Sequence, residues 1–89
     1  MMTNWELIDA VRKDIIGELD AINQYERHVS LTDDERAQKV WQDIANEEKV
    51  HVGELFTLLY ELDPVSAHMF MEGQEESKEL LEEIANKNK

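Results

Sequence analysis

Glu48 and His51 lie three residues apart in a segment whose other regularly spaced residues are apolar. Steps of three and four residues place this series on one face of a helix that packs against other helices. The series is Trp41, Ile44, Glu48, His51, Leu55, Leu58 and Leu62. Burial of a carboxylate costs several kcal/mol unless a partner compensates it, and a bound cation is a strong compensation. A Glu-x-x-His pair on an inward face is half of the motif that holds two metal ions in helical bundles. The segment therefore predicts a metal site.

The N-terminal part of the chain contains a third potential ligand, Glu18, within an equally regular apolar series. That series is Ile8, Val11, Ile15, Glu18, Ile22, Tyr25 and Val29. Gly17 and Ala21 are small, so another helix or a ligand could approach Glu18 closely. Tyr25 lies one heptad after Glu18 and is either a core aromatic residue or a hydroxyl that hydrogen-bonds a ligand carboxylate or relays an electron. His28 falls outside the series near a helix C-terminus, where a cation is favoured, and is interpreted as structural.

Two capping boxes predict where the helices that carry these series begin. Thr3 and Glu6 form the first box, which predicts a helix over about residues 4–29. Thr32 and Glu35 form the second box and mark the start of the second helix. The connection between the two helices is therefore short, which makes them antiparallel neighbours in a hairpin.

The predicted second helix covers about residues 33–62 and ends before Pro64, because the residue that precedes a proline disfavours helical geometry. Glu18 and Glu48 lie almost symmetrically about the turn. Folding of the hairpin therefore brings Glu18 level with Glu48 and His51, to within a few ångströms at a rise of about 1.5 Å per residue. The three side chains are expected to meet on one face of the hairpin.

The residues after the hairpin predict a less regular C-terminal region. Residues 65–71 are expected to form a short apolar turn or helix that ends near Gly73. A C-terminal helix is predicted over about residues 74–86. Its apolar stripe is narrow, which favours docking on a neighbouring subunit over an independent core.

The composition restricts the chain to one small domain, residues 1–89, with a thin core that would gain from oligomerisation. A net charge of −12 makes nucleic acids and anionic membranes poor partners and attracts cations. The absence of cysteine excludes disulfides, iron–sulfur clusters and thiolate zinc sites. No apolar run approaches the roughly 20 residues that a membrane-spanning helix needs, and the N-terminus lacks a signal-peptide core, so a cytoplasmic location is expected.

The three candidate ligands make only half of a dimetal centre. A dimetal carboxylate site in a four-helix bundle takes one Glu from each of two helices and a Glu-x-x-His pair from each of two others. A symmetric pair of hairpins, each contributing Glu18, Glu48 and His51, would complete this set. The four carboxylates would balance the charge of two divalent ions. Oxygen and imidazole ligands without sulfur favour iron(II) or manganese(II), and zinc can compete.

Three segments of the chain resemble the encapsulated ferritins, short ferritin-like proteins housed inside encapsulin nanocompartments. The segments are residues 17–23 (GELDAIN), residues 25–26 (YE) and residues 47–54 (EEKVHVGE). The likeness is strongest to the archaeal-type members and extends to about Leu81. It implies an all-α fold in which an antiparallel two-helix hairpin with a short C-terminal helix dimerises into a four-helix ferritin-like bundle and assembles as a ring-shaped decamer.

The resemblance also implies an activity. Members of the family oxidise iron(II) to iron(III) at a ferroxidase centre between two subunits. Glu18, Glu48 and His51 would be the iron ligands there, and Tyr25 would lie beside them. Iron is the expected metal, with calcium, manganese or zinc able to substitute. Because the open ring cannot store mineral, storage falls to the encapsulin shell, and the expected location is the interior of that nanocompartment in the cytoplasm.

Two family features are matched only in part. Some members carry acidic residues on both sides of the first ligand Glu, which are proposed to admit metal; here Asp20 is acidic and Gly17 is not. Members reach the shell through a C-terminal targeting peptide or through fusion to the shell protein. Residues 82–89 do not resemble such a peptide.

Three other functions remain open from the residues. A rubrerythrin-like di-iron peroxidase would use the same ligands, although the chain has no cysteine-based electron donor. A structural helical module could use zinc or calcium only to hold subunits together, without redox chemistry. A metal-free coiled-coil adaptor would have to bury four carboxylates and two imidazoles in the core of a dimer, which is unfavourable.

Overall fold

Residues 1–88, the part of the chain that the computed structural model describes, form three α-helices and no strand. The helices are α1 (Asn4–Ser30), α2 (Glu35–Leu62) and α3 (Pro64–Lys87). α1 and α2 pack along their length, while α3 contacts α2 alone among the described elements. The molecule is a thin plate, 55 × 45 × 14 Å. The predicted all-α fold is confirmed.

The hairpin core is small. Val11 and Ile15 of α1 and Leu59 of α2 form its buried cluster, and Ala45 is the other fully buried apolar residue of the described chain. The pairing of the beginning of α1 with the end of α2 shows that the two helices are antiparallel, as predicted. A hairpin this thin can enclose few side chains, so many large apolar residues stay exposed on a lone chain.

The start of α1 follows the prediction and the start of α2 does not. The Thr3 hydroxyl oxygen accepts a hydrogen bond from the backbone of Glu6, whose carboxylate in turn accepts one from the Thr3 backbone, both at 3.1 Å. The predicted cap at Thr32 is wrong, because Asp34 caps α2 by accepting from the backbones of Arg36 and Ala37 at 2.9 and 3.2 Å. A carboxylate both satisfies two N–H groups and complements the helix dipole, which a hydroxyl cannot do.

The predicted break near Gly73 is also wrong, because α3 is continuous from Pro64 to Lys87 and includes the helix expected over residues 74–86. Proline is well suited to the first turn of a helix, where its missing N–H group is not needed. The Asp63 carboxylate caps the helix by accepting a hydrogen bond from the backbone of Ser66 at 3.1 Å. Gly73 keeps a negative φ and continues the helix.

The corner between α2 and α3 is tied to α1. The Arg12 guanidinium lies 3.2 Å from the Asp63 carboxylate. Hydrogen bonds from Ser66, with a smaller contribution from the Arg12 charge, hold the pKa of Asp63 below its ordinary value. The cap of α3 is therefore ionised at neutral pH. Beyond the ring contact between Tyr60 and Phe70 at 6.1 Å, most of α3 is exposed.

Candidate metal centre

Glu18 of α1 and Glu48 and His51 of α2 form one cluster. One ligand atom from each residue lies within 4.8 Å of the other two. His51 Nδ1 is 3.8 Å from Glu18 Oε2 and 3.7 Å from Glu48 Oε2. These separations are too long for direct hydrogen bonds. They lie within the spacing of about 3–4 Å that donor atoms adopt around one ion at metal–ligand distances of about 2.1 Å.

Helix geometry and two ties across the hairpin set this arrangement. Glu48 and His51 are three residues apart on α2, so they are neighbours on one face. The Gln38 side-chain amide of α2 donates to the Thr32 backbone carbonyl in the connection at 2.7 Å and to the Val29 carbonyl of α1 at 3.5 Å, and so ties the two helices together at the turn. The Arg12 contact with Asp63 fixes the opposite end of the hairpin. The convergence of the three side chains, which the sequence predicts from the position of the turn, is present in the structure.

Glu18 Oε2 is buried and has no hydrogen-bond partner among the described residues. A buried carboxylate oxygen without a partner is destabilising, so native proteins rarely retain one without a reason. A cation placed between the three ligand atoms would satisfy it. Two carboxylates and an imidazole, with no sulfur, form a donor set that suits iron(II), manganese(II) or zinc(II).

The cationic side chains closest in sequence to the cluster are directed elsewhere. The Lys49 ammonium donates to Glu26 Oε2 at 2.7 Å, a contact that links the two helices on the flank of the hairpin. This hydrogen bond lowers the pKa of Glu26 below its ordinary value. Lys13 pairs with Asp9 on α1 at 2.9 Å. Sequence reasoning missed the contact between Glu26 and Lys49, because it joins residues at different levels of the hairpin.

The cluster opens onto the surface of the chain. The exposed fraction of the side chain is 49% for His51, 27% for Glu18 and 20% for Glu48. Leu58 lies one heptad after His51 on the same face of α2 and is 47% exposed. A partly exposed apolar side chain therefore lies on the same face of α2, about 10 Å along the helix from ligand atoms that a single chain leaves partly uncovered.

Tyr25 is the one predicted site residue that lies apart from the ligand cluster. Its side chain is half-buried. The edge of its ring faces His28 at a centroid distance of 6.4 Å. The His28 ring in turn packs against the Trp41 ring of α2 at a centroid distance of 4.9 Å, in keeping with a structural role. Its Nδ1 atom is buried without a partner among the described residues.

The neighbours of Glu18 leave room on the surface of α1. Gly17 and Asp20 are both exposed. A Cβ atom at Gly17 would meet nothing within 4 Å in a single chain. No carboxylate from another described element joins Asp20 in a second cluster of ligating side chains.

Comparison with known proteins identifies the family. No protein-family model matches the chain. The crystal structure of the encapsulated ferritin domain from Pyrococcus furiosus matches with a TM-score of 0.87 and 46% sequence identity, over 90% of this chain and 82% of that one. The chain belongs to the encapsulated ferritins. The resemblance seen in the sequence is therefore confirmed.

Two longer proteins are also related to this encapsulated ferritin. The ferritin-like–encapsulin shell fusion protein of Pyrococcus furiosus is 46% identical over an alignment of 89 positions, which covers 98% of this chain and 26% of the fusion protein. The encapsulin nanocompartment cargo protein EncC of Myxococcus xanthus is 41% identical over 66 residues, which are 74% of this chain and 51% of EncC. The chain thus spans about a quarter and about half of these relatives. None of the described helices has an apolar stretch that could cross a membrane.

Proposed function

We propose that two copies of this encapsulated ferritin face each other across the open side of the hairpin and form a di-iron ferroxidase centre. The observation that carries the proposal is the cluster of Glu18, Glu48 and His51, which lies at the surface with one buried carboxylate oxygen unsatisfied. Three donors from one chain leave coordination positions free on each ion. A second copy related by a two-fold axis would supply the same three donors from the opposite side.

Charge supports the pairing of two ions with two chains. Four carboxylates from two copies would balance the charge of two divalent ions, whereas without metal they repel one another. The same anionic ligands stabilise a triply charged ion more than a doubly charged one. They would therefore favour loss of one electron from each iron(II), with dioxygen or peroxide as the electron acceptor.

The roles of the residues follow from their positions. Glu18 and Glu48 would hold the substrate iron through carboxylate oxygens, and His51 through Nδ1. The apolar side chain of Leu58, one heptad from His51, and its counterpart in the second copy would be buried in the interface between the two copies. We assign Tyr25 a supporting role one heptad away, where its phenol could donate a hydrogen bond or an electron toward the centre.

The relatives support an encapsulin shell as the partner. One is named as a fusion of a ferritin-like domain to an encapsulin shell, and the other as the cargo of an encapsulin nanocompartment. We infer that this chain works inside such a compartment, as a ring of dimers with ten copies, and delivers iron(III) to the enclosed space. The net charge of −12 would concentrate iron(II) around the ring.

A metal that only joins subunits is the second candidate, because an open half-site would also assemble two chains around a redox-inert ion. Addition of iron(II) in air separates the two functions. A ferroxidase consumes dioxygen and forms iron(III) many times faster than buffer alone, whereas zinc(II) drives association without oxygen uptake. Association with iron(II) but oxidation at the rate of buffer alone would favour the structural role and refute the ferroxidase.

A further inference from the structure

Contacts across the hairpin define which residues of α1 and α2 lie at the same level. The His28 ring of α1 contacts the Trp41 ring of α2. Glu18 lies ten residues before His28 on α1, His51 lies ten residues after Trp41 on α2, and these two side chains also approach each other. The same register places Lys49 only two residues from the level of Glu18, about 3 Å along the hairpin at 1.5 Å per residue. Glu26 lies six residues from the level of Lys49, about 9 Å along the axis.

Lys49 nevertheless extends toward the more distant glutamate. Its ammonium donates to Glu26 Oε2 at 2.7 Å, although both side chains are about half exposed and could separate. Glu18 Oε2, which starts closer in level, has no hydrogen-bond partner among the described residues. The ammonium closest in sequence to the cluster is therefore paired with Glu26, while the Glu18 carboxylate oxygen stays unpaired.

We propose that Glu26 is a positioning residue that keeps the Lys49 ammonium away from Glu18, so that the Glu18 carboxylate stays available to the metal. The inference rests on the proposed metal centre. An ammonium and a divalent ion compete for the same carboxylate oxygen. A lysine released from Glu26 would have the unpaired Glu18 carboxylate two residues from its own level on the hairpin. Exposed ion pairs are weak, so the competition is expected to reduce metal affinity by about fivefold.

The test uses manganese(II) as the probe and titration calorimetry as the readout, with iron oxidation left out. Glu26→Gln is expected to weaken manganese(II) binding by about fivefold. Lys49→Met alone is expected to bind as tightly as the unaltered chain or slightly more tightly. The double variant Glu26→Gln/Lys49→Met has the net charge of the unaltered chain, and we expect it to regain the original affinity.

Rescue by the second substitution distinguishes positioning from a structural role. If the contact only held the helices together, Lys49→Met would weaken binding as much as Glu26→Gln and the double variant would stay weak; that result would overturn the inference. Asp9→Asn is the matched control, because it also removes the acidic partner of one lysine. That lysine is Lys13, and the pair lies on α1 outside the cluster. It is expected to leave the affinity unchanged.

The outcome for the proposed function is read separately. If the unaltered chain fails to bind manganese(II), or if Glu48→Ala binds it equally well, the metal centre itself is wrong. If the unaltered chain binds, Glu48→Ala does not, and Glu26→Gln binds like the unaltered chain, only the role of Glu26 is wrong.

Discussion

Replacement of His51 by alanine is expected to lower the rate of iron(II) oxidation by at least about 100-fold. Loss of a group that merely supports a metal ligand already weakens metal binding or activity by about 10–100-fold, and His51 would be a ligand itself. Because two copies would share one proposed centre, the substitution would remove two of its six ligands. Glu48→Ala should have a similar effect. The measurement is the initial rate of iron(III) formation together with dioxygen uptake, at equal protein concentrations.

A change of Glu18 separates loss of ligands from loss of the fold. Glu18→Leu should abolish oxidation and at the same time stabilise the metal-free chain by about 1 kcal/mol, because a leucine restores the apolar series where an unsatisfied carboxylate oxygen now lies. Thermal unfolding of the metal-free variants measures this effect. Oxidation at the original rate in the Glu18, Glu48 or His51 variants would show that the cluster does not hold the iron.

Leu58→Gln is expected to separate the paired copies while leaving all three ligands in place. Leu58 lies one heptad after His51, about 10 Å along α2, and is 47% exposed in the single chain. The proposed second copy would cover this exposed surface. Loss of this burial costs about 1 kcal/mol per chain, and a two-fold interface counts it twice, which raises the dimer dissociation constant by about 30-fold. Oxidation should fall with dimer content, as measured by sedimentation and by the iron assay over a range of protein concentrations.

Ile16→Gln is the matched control for that change. Ile16 is 65% exposed and precedes Glu18 by two residues, so it lies on the opposite side of α1. The substitution removes a comparable apolar side chain from a surface outside the proposed pairing face, and oxidation should be unchanged. Full activity of Leu58→Gln in a monomeric state would show that one chain suffices.

Much of the hairpin was predictable because its signals are local. The capping box of Thr3 and Glu6, and the steps of three and four residues, depend on helix geometry alone. The position of the turn then fixed the level of Glu18 relative to Glu48 and His51, without knowledge of any other contact. The candidate centre is predictable because regular helices convert spacing in sequence directly into spacing in space.

The errors arose where several residues compete for one role. Thr32 matches a capping pattern, but Asp34 offers a carboxylate two residues later and caps α2 instead. Gly73 resembles the end of a helix. In the structure α3 begins at Pro64, with Asp63 as its cap, and Gly73 lies in the interior of this longer helix. The contact between Lys49 and Glu26 depends on how two long side chains lean along the hairpin, which residue spacing does not define.

Native mass spectrometry of the chain, with and without iron(II) added in the absence of air, tests most directly whether two chains share one centre. We expect iron to appear only on dimers and their multiples, with two ions per pair of chains. Glu48→Ala should give none of these iron-loaded species. A single chain that retains an iron ion, or dimers that bind iron equally well without Glu48, would contradict the shared centre.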